Sequence, residues 1–401
     1  MNYFVFVVCG GKSFIEELNF SLTFLKKFSR YPVIVLTDSS RNEISIDHDN
    51  IIDVKTPSAL PDHQAHLYLE TQALHYLNTA KNDIFCYLDS DVIAIDKKIN
   101  NVFNEYIPPV NFAEDHCTID YFSPGVMNCS CIDGFNKRKR QYFIMKDEYP
   151  VPSHSVNAKK DWEELLETFK QMKRQPFKYL KKAIPYLYKK YISPQKSLKL
   201  DNCYYDKKSR CWYNKNGELM SFDMHYHDKK LWKKHRLKNN NGIWMNQDNE
   251  IIKPEAPHCH HLREYLNNKY KLEIPKGFQH WNGGVFLFSP ISKDFMDYWH
   301  EITFNEIESG VIKSYDDQAS LIVSAYHFGI ENMKPLPAEY NFIADYGKKS
   351  IDYSPGKGFT NDNFKTIVHP AFLHIYHNWG DKNWKIWQYI ESLKDDNEFS
   401  G

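Results

Sequence analysis

The sequence predicts an α/β protein: a mostly parallel, doubly wound sheet with flanking helices, interrupted by a basic, largely helical insertion. Three observations carry this. Short apolar runs alternate with amphipathic stretches through the first 130 residues, the pattern of parallel strands joined by crossover helices. The alternation stops between 131 and 250, where 27 Lys and Arg stand against 14 Asp and Glu. It resumes beyond that point, so the expected organisation is a first half-core over 1–130, an insertion over 131–250 and a second half-core over 251–401.

The elements follow in order. "YFVFVV" at residues 3–8 reads as a strand. Residues 13–28 place Ile15, Leu18, Leu22 and Leu25 at helical spacing, and "VIVLTD" gives the next strand. "NIIDVK" is a further short strand, "HLYLETQALHYL" a helix, and "IFCYL" a strand that runs into "DSD". In the insertion, "FKYLKKAIPYLYKKYI" sets Phe177, Leu180, Ile184, Leu187, Tyr188 and Tyr191 on one helical face and Lys178, Lys182, Lys189 and Lys190 on the other. Pro185 should kink that helix. "DNCYYDKKSRCWYNKNGELMSF" reads as a hairpin turning over 214–217. The α/β pattern then returns with the helix "HLREYLNNKY", the strand "GVFLFS", the helices "KDFMDYWHEI" and "DDQASLIVSAYHF", and the strand "FLHIYH".

Composition limits the function classes. With 42% apolar and 25% charged residues the chain is globular, and its 15% aromatic content suggests stacking surfaces as well as core. Lys plus Arg and Asp plus Glu both number 51, so no global basic field argues for nucleic acid. The opening "MNYFVFVVCGGKSF" lacks the basic n-region of a secretory leader, and no run approaches the roughly 20 apolar residues of a spanning helix. The eight cysteines include no C-x-x-C pair, and Cys9 and Cys86 lie in strand-like runs. The expectation is a reduced, cytoplasmic protein, peripheral to the inner face of a membrane if the amphipathic stretch over 170–199 lies on anionic lipid.

"IFCYLDSDVIAID" sets two aspartates inside an apolar run. Residues i and i+2 of a strand share a face, so Asp89 and Asp91 aim two carboxylates at one point. Like charges that close call for a cation, and Mg²⁺ or Mn²⁺ takes oxygen ligands while keeping positions for phosphate oxygens. The competing reading is a pair of turn-capping aspartates.

Other motifs occur in a fixed order: "VLTD", "YLDSDVIAI", "HWNGGVFLFS", "YDDQASL", "LPAEYNF" and "HNWGDKNW". The set resembles GT-A-fold glycosyltransferases, and within them the retaining group that includes glycogenin and the lipopolysaccharide galactosyltransferases. That resemblance implies a metal held by Asp89, Asp91 and a late histidine, His377, with His374 as its rival. It implies a donor-sugar site built from Asn282, Gly283, Gly284 and Gln318, with Asp317 as the carboxylate nearest the reacting carbon and Lys382 on the phosphates. Ser90 and the strand ends at Cys9, Gly10, Thr37 and Asp38 are expected to meet the donor nucleotide. "GDKNW" departs from the family's pattern by a missing residue and proline, and the insertion has no counterpart there. The implied reaction moves a sugar from a nucleotide sugar, a UDP-sugar first of all, to a glycan or glycolipid acceptor, with Mn²⁺ or Mg²⁺ as cofactor. A sugar nucleotidyltransferase and a non-catalytic sugar-binding protein of the same fold are the alternatives; "VVCGGKSFIEELNF" lacks the glycine-rich basic loop of the former.

Two smaller readings complete the sequence. Trp281 is a sugar-stacking or core residue, and Asp316 a helix N-cap. "PHCHH" at 257–261 offers zinc-type ligands, but adjacent residues do not easily converge on one tetrahedral ion, so a loop leading into the next helix is expected. Cys129, Cys131, Cys203 and Cys211 are the thiols elsewhere able to add ligands.

Overall fold

The structure, a computed structural model, describes residues 1–127, 129–200, 202–253, 259–312, 317–344, 352–354, 358–361 and 364–395. Asp316, Pro257 and His258 lie outside them. The chain forms two compact units, one of Met1–Cys129 with Pro257–Gly401 and one of Ser130–Ala256.

The first unit begins β1 (Asn2–Val7), α1 (Lys12–Phe28), β2 (Val33–Thr37), β3 (Ile51–Asp53), α2 (Asp62–Thr71), β4 (Ile84–Leu88), β5 (Val92–Ala94), β6 (Val110–Thr118) and α3 (Ile119–Val126). After the insertion come α4 (His261–Tyr270), β7 (Gln279–Phe288), α5 (Lys293–Ser309), α6 (Gln318–His327), β8 (Phe342–Ile343), β9 (Phe372–His374) and α7 (Lys385–Asp395). The main sheet runs β3-β2-β1-β4-β7-β6; its first four strands are parallel, and β7 lies antiparallel to both neighbours. The predicted α/β class, with a parallel-rich central sheet and flanking helices, is the one found.

Alternation along the strands fills both faces. Phe4, Phe6, Cys86 and Leu88 join Ile15, Leu18, Leu22 and Leu25 of α1 in one cluster, while Val5, Val7, Phe85 and Tyr87 join Ala65, Leu69, Phe295, Met296 and Trp299 of α2 and α5 in the other. Strands covered on both faces read as nearly continuous apolar runs, which is why β1, β2 and β4 stand out in the sequence. Strand β6, "VNFAEDHCT", does not, because its polar residues Asn111 and Asp115 are themselves buried. A second sheet, β8-β9-β5, pairs His374 with Val92 and Phe372 with Ala94. That pairing holds the late strand against the residues following "DSD".

The second unit carries helices Cys131–Glu148, Val156–Arg174, Pro176–Tyr191 and Met224–His235. It also holds more strand than its composition suggested. Strands Ser197–Leu200, Cys203–Asp206, Cys211–Asn214 and Leu219–Phe222 form an antiparallel four-stranded sheet, and Lys238–Asn240 pairs with Ile243–Met245. Each is only three or four residues long, too short to register as an apolar run. At the turn of 214–217, Gly217 adopts φ +81° and its N–H donates to the Asn214 carbonyl at 3.0 Å. The helix Pro176–Tyr191 continues through Pro185 and turns Tyr186 toward Phe169 and Trp212, leaving Phe177 87% and Tyr191 72% exposed. Its apolar face therefore meets solvent.

Candidate active site

Strand β4 stops at Leu88, and Asp89, Ser90 and Asp91 form a turn closed by the Val92 N–H donating to the Asp89 carbonyl at 3.0 Å. The strand-face argument for the aspartates is therefore replaced by a turn, yet the carboxylates still converge. Backbone contacts hold the turn from three sides. The Asp89 N–H donates to the Gly284 carbonyl at 2.9 Å, the Ile375 N–H to the Asp91 carbonyl at 3.2 Å, and the Ser21 hydroxyl to the Ser90 carbonyl at 2.7 Å. The histidine brought to them is His374, not His377. Its Nε2 lies 3.2 Å from Asp91 Oδ1 and 4.0 Å from Asp89 Oδ2, and Asp89, Asp91 and His374 each offer a ligand atom within 4.8 Å of the others. The reason is register: β9 ends at His374, paired to Val92, whereas His377 falls in the following loop.

A polar chain fixes the imidazole. Asn282 Oδ1 accepts from the Gly284 N–H at 3.0 Å and from Asn341 Nδ2 at 2.8 Å, and Asn341 Oδ1 stands 2.9 Å from His374 Nδ1. With Nδ1 donating to Asn341, the tautomer turns the Nε2 lone pair toward two carboxylates, an arrangement suited to a cation between them. Gly284 leaves the space: a Cβ there would strike the His374 ring and come 2.8 Å from Asp89 Oδ2. Donor chemistry and cavity shape both fit a hard divalent ion. Burial, then Asp91, raises the Asp89 carboxyl above its ordinary range.

Pairing between β6 and β7 is irregular between Asn282 and Phe286, so the strand bulges at Gly283 and Gly284 beside the aspartates. A Cβ on Gly283 would lie 2.6 Å from Asp317 Oδ2 and 3.5 Å from Glu70 Oε1. Asp317 starts α6, its carbonyl accepting from the Leu321 N–H at 2.8 Å and from the Trp299 indole at 3.3 Å. Gln318 Nε2 donates to Asp115 Oδ2 at 3.3 Å, as does Asn282 Nδ2 at 3.2 Å. Trp281 stacks on Phe112 at 5.5 Å and 9°, a core role.

A cavity of about 240 Å³ lined by Cys9, Glu17, His66, Asp89, Ser90 and Asp91, among others, opens at the carboxyl ends of β1 and β4. Gly10 sits at its edge with φ +103°, where a Cβ would approach Asp62 Cβ to 2.8 Å. Burial pushes the Cys9 thiol up to about 12. Thr37 and Asp38 do not line this cavity; they are buried at the end of β2. Thr37 Oγ1 accepts from Asn42, and Asp38 accepts from Ser40, Arg41 and Thr56, bonds that outweigh its burial and bring its carboxyl to about 2. Lys382 is exposed on the loop beyond β9.

Three carboxylates here are absent from the sequence-derived set. Glu70, on α2, is buried and its pKa raised well above the ordinary value by burial, then Asp317, then Asp89. Glu17, on α1, is pushed up to about 7 by burial and then by Asp91. Asp115 is buried on β6. The available signal for Glu70 was an acidic residue among Ala65, Leu67 and Leu69, buried positions of its helix; Glu17 and Asp115 gave none that periodicity would isolate. A link also runs through Tyr87, whose hydroxyl donates to Asp89 Oδ1 at 2.8 Å and lies 3.5 Å from His66 Nε2.

No protein-family model matches the chain, and no curated protein sequence does. Among solved structures, the crystal structure of mouse xyloside xylosyltransferase 1 in its apo form aligns over 94% of this chain and 99% of that one, at 8% identity and a TM-score of 0.37. A likeness that distant assigns no activity.

Proposed function

We propose that the protein is a metal-dependent glycosyltransferase of GT-A type that moves a sugar, with retention, from a UDP-sugar to a glycan or glycolipid hydroxyl. The reading rests on one observation: Asp89, Asp91 and His374 converge at the carboxyl end of β4, where doubly wound sheets bind their ligands. Asp89, Asp91 and His374 hold a Mn²⁺ or Mg²⁺ ion, which supplies the positive charge that a departing nucleoside diphosphate needs. The chain does the rest by position. Cys9 and Gly10 border the nucleoside, with Thr37 and Asp38 at the neighbouring strand end. Asn282, Gly283, Gly284 and Gln318 face the donor sugar, and Lys382 reaches the phosphates from its loop. Two carboxyls flank Gly283: burial and Asp317 raise the pKa of Glu70 well above its ordinary value, and Asp317 is the carboxyl placed beside the sugar. Acceptor and pathway follow from the same reading: cell-surface polysaccharide or lipopolysaccharide synthesis at the cytoplasmic face.

The test is incubation with a nucleotide-sugar panel and Mn²⁺, reading nucleoside diphosphate. Release that is lost on chelation and in Asp91→Ala supports the proposal. Pyrophosphate formed from a nucleoside triphosphate and a sugar phosphate would replace it with the nucleotidyltransferase reading, and binding without turnover with the sugar-binding one.

A peripheral membrane contact is the second part of the reading. Among the described residues no helix is long and apolar enough to cross a membrane. The helix Pro176–Tyr191 exposes Phe177, Ile184, Leu187 and Tyr191 between lysines, the form of an interfacial helix on anionic lipid. Flotation with phosphatidylglycerol vesicles, lost when Phe177 and Tyr191 become serine, supports it; no flotation with any vesicle removes it.

A further inference from the structure

The first unit contains a second group of metal-type ligands, away from the aspartate turn. Cys129 is the last residue of the segment that enters the insertion, and Cys259 and His261 stand just after the chain returns. Their Sγ, Sγ and imidazole nitrogen lie within 4.8 Å of one another, with Cys129 Sγ 3.5 Å and His261 Nδ1 3.0 Å from Cys259 Sγ. The loop expected for "PHCHH" is therefore a loop whose cysteine and final histidine meet a distant thiol.

The spacing has chemical content. Two sulfurs 3.5 Å apart are too distant for a disulfide, which needs about 2.05 Å, and none of the eight cysteines forms one. Two thiolates on one tetrahedral zinc, each about 2.3 Å from it, stand about 3.8 Å apart, close to what is seen. A Cys₂His set is thus available from Cys129, Cys259 and His261.

The surroundings supply a hydrogen-bond donor to the sulfur. Cys259 is 1% exposed, and the buried Ser123 hydroxyl stands 3.2 Å from its Sγ while accepting the Leu262 N–H at 3.0 Å. With its acceptor side taken, Ser123 points its proton at the sulfur, as outer hydrogen bonds to metal thiolates do. The Cys259 N–H donates to the Asp120 carbonyl at 2.7 Å, so helix α3 fixes both the backbone and the side chain of this ligand.

We infer that Cys129, Cys259 and His261 bind a zinc ion that ties together the two chain ends between which the insertion is spliced. Thiol protons are released on binding. The inference does not rest on the glycosyltransferase reading.

Elemental analysis of untagged, full-length protein purified without chelator should give about one zinc per chain. Cys259→Ser and Cys129→Ser should lower it at least tenfold, whereas Asp91→Ala should retain it. Should the cysteine variants prove insoluble, the wild-type protein serves: an organomercurial should release one zinc to a chromogenic indicator. Exchange with Co²⁺ should give thiolate-to-cobalt charge-transfer bands and the strong visible bands of a tetrahedral site. Zinc lost in Asp91→Ala but kept in Cys259→Ser would overturn the inference. So would wild-type protein that neither contains zinc nor takes up zinc or cobalt on reconstitution, leaving Cys259 and His261 as an ordinary thiol–imidazole hydrogen bond.

Discussion

His374 Nε2 lies 3.2 Å from Asp91 Oδ1, although the two residues are separated by most of the chain. The contact exists because β9 pairs with β5 directly after the aspartate turn, and because Asn341 holds the other ring nitrogen. His374→Ala should therefore weaken Mn²⁺ binding by at least about 10-fold, since removing even an outer partner of a metal ligand costs about 10- to 100-fold. His377→Ala should change it by less than about threefold. Titration of apo protein with Mn²⁺, followed by the loss of free-ion electron paramagnetic resonance signal, checks both.

Gly284 is the residue whose missing side chain makes the site. Gly284→Ala forces a methyl against the His374 ring and the Asp89 carboxylate. The variant should lose ion binding and cost about 1–3 kcal/mol in stability, the usual penalty of overpacking. Gly125→Ala, where a Cβ meets nothing within 4 Å, is the control for a glycine in the same unit. Urea melts and Mn²⁺ titration of the two variants separate the effects.

Glu70 gives stability a pH dependence of determined sign. Its folded pKa is raised by burial, then by Asp317 and Asp89, so its contribution is complete below the unfolded value of about 4.5 and is lost as pH rises through the folded value. Glu70→Gln keeps the shape without the ionisation. In metal-free protein its melting temperature should match the wild type at pH 5 and exceed it at pH 9, as scanning calorimetry across that interval will read. Equal slopes in the two proteins would mean that Glu70 does not titrate with folding.

His300 acts at the other end of the scale. Burial, and then His75, lowers its pKa from 6.5 to about 4. A folded pKa depressed in this way gives stability that is complete above about 6.5 and is lost as pH falls toward 4. After discounting for its partial solvent contact, the loss should be on the order of 1 kcal/mol. His300→Asn, which retains an amide near Thr71 Oγ1, should flatten the fall in urea midpoint between pH 6.5 and 4.5.

The doubly wound core was legible because β1, β2 and β4 are buried on both faces and α1 carries a clean apolar stripe. Asp89 and Asp91 stood out for the complementary reason, as charges inside an apolar run. What periodicity does not reveal is which distant residue meets them. His374 and His377 share one short segment, and the choice between them was made by strand pairing to β5, a contact between residues some 280 positions apart. Glu70 and Asp115 escaped notice because an acidic residue on a helix or strand normally faces water, and only the packed structure shows these two turned inward. Of the four-stranded sheet of the second unit only the hairpin turning over 214–217 was legible; the other strands were hidden by their brevity.

Strand β7 lies between β4 and β6, yet it is encoded after the insertion. On the ribosome, β4 and β6 emerge first and cannot become neighbours of a common strand until the whole insertion has been translated. Throughout that interval the nascent N-terminal segment presents two unpaired apolar edges, while the insertion, which has a small core of its own around Leu165, Leu198 and Trp212, is free to fold alone. A gene truncated before β7 should thus yield a soluble insertion attached to an aggregating stub.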